Sequence, residues 1–543
     1  IEIEKKLQEF IDAGLFQVCH NVLDRMLGEN AKIPSDTGDF NEIESYLNNC
    51  RTLIEDELKQ KAQYFSPARW TWYIRRLPGF KRQLKSTDPY DKGLLHSVAC
   101  MSEAKENPAD SAFVDNRLVF SLNKHSFEEL FKLYAGAVFL SEIHTCLRYA
   151  GKRIAMQFSN HSLPVAQPTS DERDAISLYD KRMELGSVSP FHRTGTILTN
   201  VEITGDQIPG NKDSILLAYP TRRRAIVTKC LQEPIETVAN FNIELFDVAE
   251  LSEFARSFNG IVWWTGEVGD LILLLRCAAM AVNLEPPRLL PLAFAGYFLI
   301  PASNFLAIVG PTFDRAKKFV ETIIPGYQGP NDFEGLFRVM SDWQPKLWPV
   351  LAPKPLHQVQ NCFMIDVDAA CRRLNIALEF PRTLSGQAGA VRGLHFEQPT
   401  QSLIDESPWA PGNTLAAIRG RQLRLAGADL TDIDAIGTKD GVLLCVSCKS
   451  LVYSGEYDNG DHRVVMNAAQ SIEEKLLAWE AKAAKLRSNP RGDNYDFSGF
   501  RDMIFVVCTP TPIYVPKGPC TRFTATNLRS VVPFSELAAW LNG

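Results

Sequence analysis

Residues 431–450 read TDIDAIGTKDGVLLCVSCKS. An Asp-Gly pair between two apolar, alternating runs is a strong hairpin signal, because both turn positions favour residues that tolerate positive φ. The stretch therefore predicts antiparallel strands over 430–436 and 442–449. Side chains alternate along a strand, so Asp432 and Asp434 share a face, as do Ser447 and Lys449 on the partner. Ile433, Leu444 and Val446 are expected on the opposite side, in the core.

Acids on one strand and a lysine at the end of the next suit one kind of chemistry. Carboxylate oxygens hold a hard divalent cation. Such a cation polarises a phosphoryl oxygen and lowers the pKa of a bound water. A neighbouring ammonium orients that water or offsets charge that builds on the phosphate. Phosphodiester hydrolysis needs these groups in one place.

The flanking sequence supplies further elements. QVQNCFMIDVDAACRRLN reads as a helix, IALEF as a strand, and the segment containing RGLHFEQ as a helix. Strands are expected over 418–427, 429–437 and 442–449, then a long amphipathic helix near 466–488, a strand at 502–510 and a final short helix in PFSELAAWLNG. That order makes a sheet with helices on its faces.

With these parts in place, the run resembles the core of the PD-(D/E)XK, or restriction-endonuclease-like, nuclease superfamily. The resemblance covers about residues 356–543. It implies that Asp434 is the metal-binding aspartate, Lys449 the motif lysine and Glu397, in RGLHFE, the acid of the first helix. It also implies Mg²⁺ or Mn²⁺ as cofactor and nucleic acid as substrate, DNA first and RNA as an alternative. Ser447 departs from the pattern, which usually has Asp or Glu there. Three readings stay open: Asp432 compensates from the same face as Asp434; Glu397 completes the shell with the carbonyl of residue 448; or the site is decayed and only binds. Gln470 opens the next helix, where related folds can touch the site. Tyr453, Glu456, Tyr457, Asp458 and His462 are expected in or just past a loop beside the cleft.

The rest of the chain frames this module. It has 543 residues, 45% of them hydrophobic and 22% charged, with net charge -6. That length suggests several domains with sizeable cores. The fold class expected is α/β multidomain: a mainly helical scaffold over 1–195, a mixed α/β section over 196–344, a proline-rich linker at 345–355, and a restriction-endonuclease-like α/β/α core over 356–543. In 196–344, SFNGIVWWTGEVGDLILLLRCAAMAV and SNFLAIVGPTFDRAKKFVETII each read as strand, glycine turn and helix, with Thr312 placed to cap the second helix.

Twelve cysteines lack framework spacing, which suits a reducing cytosol, and Cys445 and Cys448 would point to opposite faces of a strand rather than bind zinc. The apolar segment LILLLRCAAMAV is too short for a membrane span and contains Arg276, so it reads as a buried helix. The start, IEIEKKLQEF, is charged, has no signal-peptide pattern and lacks Met, as a fragment or a processed chain would. A cytoplasmic, membrane-free protein is expected.

Two basic stretches admit two readings each. SPARWTWYIRRLPGFKRQLK mixes Arg69, Arg75, Arg76 and Lys81 with Trp70, Trp72 and Tyr73. It is either a surface on which cations track phosphates and rings stack on bases, or a helix that buries its rings. Arg222, Arg223 and Arg224 either bind phosphate or solvate a strand end. VGPTFDRAKKF lacks the spacing of a nucleotide loop. The large N-terminal part would select substrate, engage a protein partner or sense a trigger. Nuclease modules joined to unlike domains are frequent in prokaryotic defence against foreign DNA, an analogy of architecture. The alternative is a decayed nuclease fold acting as a nucleic-acid-binding or protein scaffold.

Overall fold

The computed structural model describes residues 40–76, 89–158, 163–184, 262–284, 295–347, 351–379, 387–450 and 461–543, apart from 108–109, 115–116 and 122, with shorter pieces in 13–26, 199–247 and 291–292. The chain is mixed α/β and divides into two compact units. One comprises Ile1–Ala150, Met156–Val165 and Gly195–Leu378; the other comprises Gly151–Ala155, Ala166–Thr194 and Glu379–Gly543.

The first unit opens with helices α1 (Phe40–Ala62), α2 (Pro67–Arg76), α3 (Pro89–Ala99) and α4 (Lys124–Gly151). Their three- and four-residue apolar spacing buries Ile43, Leu47, Ile54 and Leu58 on one face of α1. Among the described residues, α4 is the one helix long and apolar enough to cross a membrane, and 72% of its most apolar window is buried. Strands β1 (Ser214–Pro220) and β2 (Phe241–Asp247) pair antiparallel. Helix α5 (Val262–Leu284) carries the LILLLRCAAMAV segment, with Leu271 to Leu275 buried in the core as expected.

Several readings of this unit change. SNFLAIVGPTFDRAKKFVETII holds two helices, Ala302–Val309 and Phe313–Ile323, not a strand and a helix. Gly310 lies in a short 3₁₀ turn, and the Thr312 hydroxyl bonds the carbonyls of Ile308 and Val309 instead of capping the second helix. The Gln358–Asp366 stretch, read as helical, is the end of one strand, a turn at Gln360–Asn361 and a second strand. Strands β3 (Tyr297–Pro301), β4 (Leu356–Val359) and β5 (Cys362–Asp366) form an antiparallel sheet in the order β3-β5-β4. CFMID is buried along its length between two partners, a setting that favours strand over helix. The IALE of IALEF, read as a strand, belongs to helix α6 (Val367–Glu379).

The proline-rich segment is not a linker. Lys346 and Ala352 exchange backbone hydrogen bonds of 3.1 and 3.0 Å, and Leu347, Leu351 and Ala352 are buried. Arg373 of α6 donates to the carbonyls of Gln344, Ala352 and Pro353. One guanidinium thus binds three carbonyls across this proline-rich backbone. The unit boundary falls after Leu378 rather than at 345–355.

In the second unit, helix α7 (Gln387–Asp405) precedes a small antiparallel ribbon, β6 (Leu423–Leu425) and β7 (Ala428–Thr431). The central sheet follows: β8 (Ala435–Lys439), β9 (Val442–Cys448), β10 (Asp502–Thr509) and β11 (Val531–Pro533), in that order. The β8–β9 turn is Asp440–Gly441, at φ 51° and 75°, as a two-residue hairpin demands. β9, β10 and β11 run parallel, so long connections are required. Helix α8 (His462–Ser488) provides the first, and helix α9 (Phe534–Asn542) closes the chain.

Alternate residues of β9 enter separate cores. Leu443 and Cys445 join Ile472, Leu476 and Trp479 of α8, whereas Leu444, Val446 and Cys448 join Phe396 and Ile404 of α7. Cys445 and Cys448 thus do face opposite ways. The ten described cysteines are all buried, and no disulfide joins them.

Candidate active site

Sequence pattern merged β7 and β8 into one strand. The structure breaks it at 432–434, where the backbone leaves the ladder. The Gly420 amide, at φ 62°, bonds the Ile433 carbonyl at 3.0 Å across this break. Ile433 consequently packs with Ile436, Leu443 and Cys445, not with Leu444 and Val446 as strict alternation demands.

Asp434 sits one residue before β8, with its side chain 9% exposed. Its Oδ2 accepts two hydrogen bonds, from the Cys448 amide at 2.6 Å and the Ser447 hydroxyl at 3.3 Å, and forms an ion pair with the Lys449 ammonium at 3.6 Å. The Lys449 side chain is 32% exposed, and its own amide donates to the Cys508 carbonyl at 2.8 Å. That bond continues the parallel ladder one residue beyond β9 and fixes where the lysine stem leaves the sheet.

Glu397 lies on α7, half-buried. Burial raises its pKa above the ordinary glutamate value, the Asp434 charge raises it further, and the Lys449 ammonium opposes both. Asp434 is also raised, by burial first; Lys449, the Cys448 amide and the Ser447 hydroxyl pull it back. Asp432 is exposed, and its charge adds to the upward push on both carboxyls. The hairpin and α7 thus bring Asp434, Lys449, Ser447, Asp432 and Glu397 into one electrostatic neighbourhood.

The donor set is hard oxygen from two acids, which fits Mg²⁺ or Mn²⁺ rather than a thiophilic metal. Among the described residues, no group of three or more His, Cys, Asp or Glu stands close enough to hold a metal ion by side chains alone. A cation here would rest on Glu397 and Asp434, with water or substrate completing its shell, as Mg²⁺ sites commonly allow. Both hydrogen bonds and the ion pair to Asp434 use Oδ2. Among the described residues, Oδ1 is the oxygen left to take a cation.

Other candidates fall elsewhere. Gln470 is exposed on α8, and its amide bonds Glu474 at 2.9 Å. His462 bonds the Gly151 carbonyl at 3.1 Å, behind an N-cap in which Asp461 accepts from the Val464 amide. Tyr453, Glu456, Tyr457, Asp458, Lys81 and Arg222, Arg223 and Arg224 lie outside the described residues, as does the side chain of Arg76.

The aromatic-basic stretch is interior in α2. Trp70 and Tyr73 are fully buried, and the Trp70 indole donates to the Ala62 carbonyl. Arg69 is 5% exposed and bonds Tyr73, Asp110 and Ser121. Arg75 reaches Asp368 at 2.8 Å and Asp366 at 3.3 Å, and both acids are buried. His96 joins them, 3.3 Å from Asp366. Arg69, Trp70 and Arg75 therefore hold the first unit together and do not form a nucleic-acid surface: the rings sit in the core, and each guanidinium is consumed by acids or carbonyls.

Sequence reasoning missed Gln401, Asp405 and Arg419. Gln401 Oε1 accepts from the Ile436 amide at 2.9 Å, and its Nε2 donates to Asp405 at 2.9 Å. Arg419 grips Asp405 with two bonds, of 2.9 and 2.5 Å. The available signal was the four-residue spacing of Glu397, Gln401 and Asp405 along one face of a helix.

No family model matches this chain, and no curated protein or solved structure proved similar to it.

Proposed function

We propose that the second unit is a metal-dependent nuclease that hydrolyses phosphodiester bonds, DNA first, with Mg²⁺ or Mn²⁺ as cofactor. The observation that carries this reading is the meeting of Asp434 and Lys449 at 3.6 Å beside Glu397, from sequence positions joined by a hairpin and a helix. Glu397 and Asp434 would hold the cation, which supplies Lewis-acid polarisation of the scissile phosphate when bound. Ser447 and the Cys448 amide hold Asp434 by Oδ2, keeping its orientation fixed. Lys449, partly exposed at the end of β9, is placed to orient an attacking water or to offset charge growing on the phosphate. Phosphodiester cleavage needs both functions at one point. A role in defence against foreign DNA rests on architectural analogy alone.

A second reading has its own support. Ser447 stands where the superfamily carries an acid, and Lys449 already neutralises Asp434. A decayed site that binds nucleic acid or protein without cutting is the alternative. The deciding experiment incubates the full chain with plasmid, single-stranded DNA and RNA in Mg²⁺, Mn²⁺ or EDTA. Metal-dependent cleavage that disappears in Asp434→Ala and Lys449→Ala supports the enzyme. Equal behaviour of all three proteins supports the scaffold, and the preferred polymer separates DNA from RNA.

A further inference from the structure

We infer that Gln401, Asp405 and Arg419 form a positioning frame that sets Glu397 against Asp434, a role that rests on the proposed nuclease site.

β8 is an edge strand, so Ile436 turns an amide and a carbonyl away from β9. Gln401 takes both: Oε1 accepts the amide at 2.9 Å, and Nε2 reaches the carbonyl at 3.4 Å. A side-chain amide pairing with both backbone groups of one residue fixes translation as well as distance. Ile436 lies two residues after Asp434, and Gln401 four residues, about one helical turn, after Glu397. The clamp therefore sits directly alongside the carboxyl pair. The Trp409 carbonyl accepts the Thr438 amide at 2.9 Å and adds a second point of attachment along the same edge.

The frame closes on itself. Gln401 bonds Asp405, Asp405 takes two bonds from Arg419, and the Gly420 amide beside Arg419 bonds the Ile433 carbonyl. Ile433 is bonded through the chain to Asp434, and Ile436 returns to Gln401. A ring of contacts thus runs from the helix, round the break at 432–434, and back. The break removes ladder bonds that would otherwise hold Asp434, which is why a substitute frame is needed. Pro399 adds to that need: it lies inside α7 between Glu397 and Gln401 and cannot donate to the carbonyl four residues earlier. Arg419–Asp405 is the bidentate pairing that resists rotation best.

Gln401→Met removes the clamp at nearly constant volume. The full chain carrying ¹³C-labelled glutamate is titrated, with the Glu397 signal assigned through Glu397→Gln. In the wild type, Asp434→Asn lowers the Glu397 midpoint. In Gln401→Met the midpoint moves towards the ordinary glutamate value and no longer responds to Asp434→Asn. If cleavage is present, kcat falls about 100-fold, the scale of a misplaced catalytic group, while KM stays within about twofold. An unchanged Glu397 midpoint with an unchanged response to Asp434→Asn overturns the frame. If Gln401→Met does not fold, Asp405→Asn, at a half-exposed carboxylate, must shift the midpoint in the same direction, and no shift again overturns it. A wild type that never cleaves nucleic acid sinks the nuclease reading, whereas the titration still decides the frame.

Discussion

Ser447 lies against the carboxylate that the proposed site would use. Its hydroxyl lies 3.3 Å from Asp434 Oδ2, so a carboxylate there would face a like charge at short range. Ser447→Asp is expected to lower the melting temperature in EDTA. Mn²⁺ should raise that of the variant more than that of the wild type, which calorimetry can check. Equal shifts would mean that no cation binds beside Ser447. The raised pKa values of Glu397 and Asp434 set a direction for pH. Both carboxyls hold their protons at higher pH than ordinary acids, so cation affinity should fall on acidification before unperturbed carboxyls titrate. Mn²⁺ titrations from pH 8 to 5 test this, and Asp434→Asn should flatten the profile. Arg75 carries the opposite lesson. Arg75→Ala leaves Asp366 buried without its guanidinium partner and Asp368 with Arg372 alone, at 3.1 Å, and should cost about 3 kcal/mol in urea denaturation. Binding of DNA should change little once folded protein is compared.

At the level of elements, the Asp440–Gly441 turn, the alternation of β9, helix α8 and strand β10 were legible from local pattern. Each repeats a short-range rule over several residues. The break at 432–434 was not, because Asp432 to Ala435 keeps the polar–apolar alternation of a strand and tertiary bonds from Gly420 and Gln401 hold the backbone off the ladder. β11 is three residues long and its partner lies more than twenty residues earlier, so nothing periodic announces it. Gln358–Asp366 misled because its apolar spacing fits a helix as well as a two-sided buried strand. Of the site, Asp434 and Lys449 follow from the hairpin, whereas the roles of Gln401, Asp405 and Arg419 depend on contacts between distant elements. Gly437 gives an element-scale test. A Cβ there would lie 2.9 Å from the Trp409 carbonyl and 2.8 Å from Ile404. Gly437→Ala should force α7 from β8, with a loss of about 1–3 kcal/mol in urea denaturation.

For the molecule as a whole, three histidines of the first unit are buried in forms that resist protonation. Burial, then Arg75, holds His96 well below its ordinary pKa; burial, then Arg51, does so for His144; burial, then Lys354, brings His357 to about 4. The unfolded chain binds protons at these sites below about pH 6.5 and the folded chain does not, so stability falls as pH drops through that value. Asp366, raised to about 6 by burial, works the other way, as its folded form takes up a proton first. Glu55, Glu106, Asp270, Glu397 and Asp434, all raised by burial, act in the same direction as Asp366, so the histidine contribution is read by difference: between pH 7.5 and pH 5 the urea midpoint of His144→Gln should fall less than that of the wild type. The second unit draws on Gly151–Ala155 and Ala166–Thr194 as well as Glu379–Gly543. A recombinant piece starting at residue 356 should therefore be poorly soluble, and adding back 151–194 on the same polypeptide should restore it. That interleaving sets a schedule on the ribosome. Glu397, Asp434 and Lys449 emerge only after every segment of the first unit, while 151–155 and 166–194 are made early and must wait for Glu379–Gly543, the rest of their unit. An interrupted translation product would thus carry the first unit without Glu397, Asp434 or Lys449.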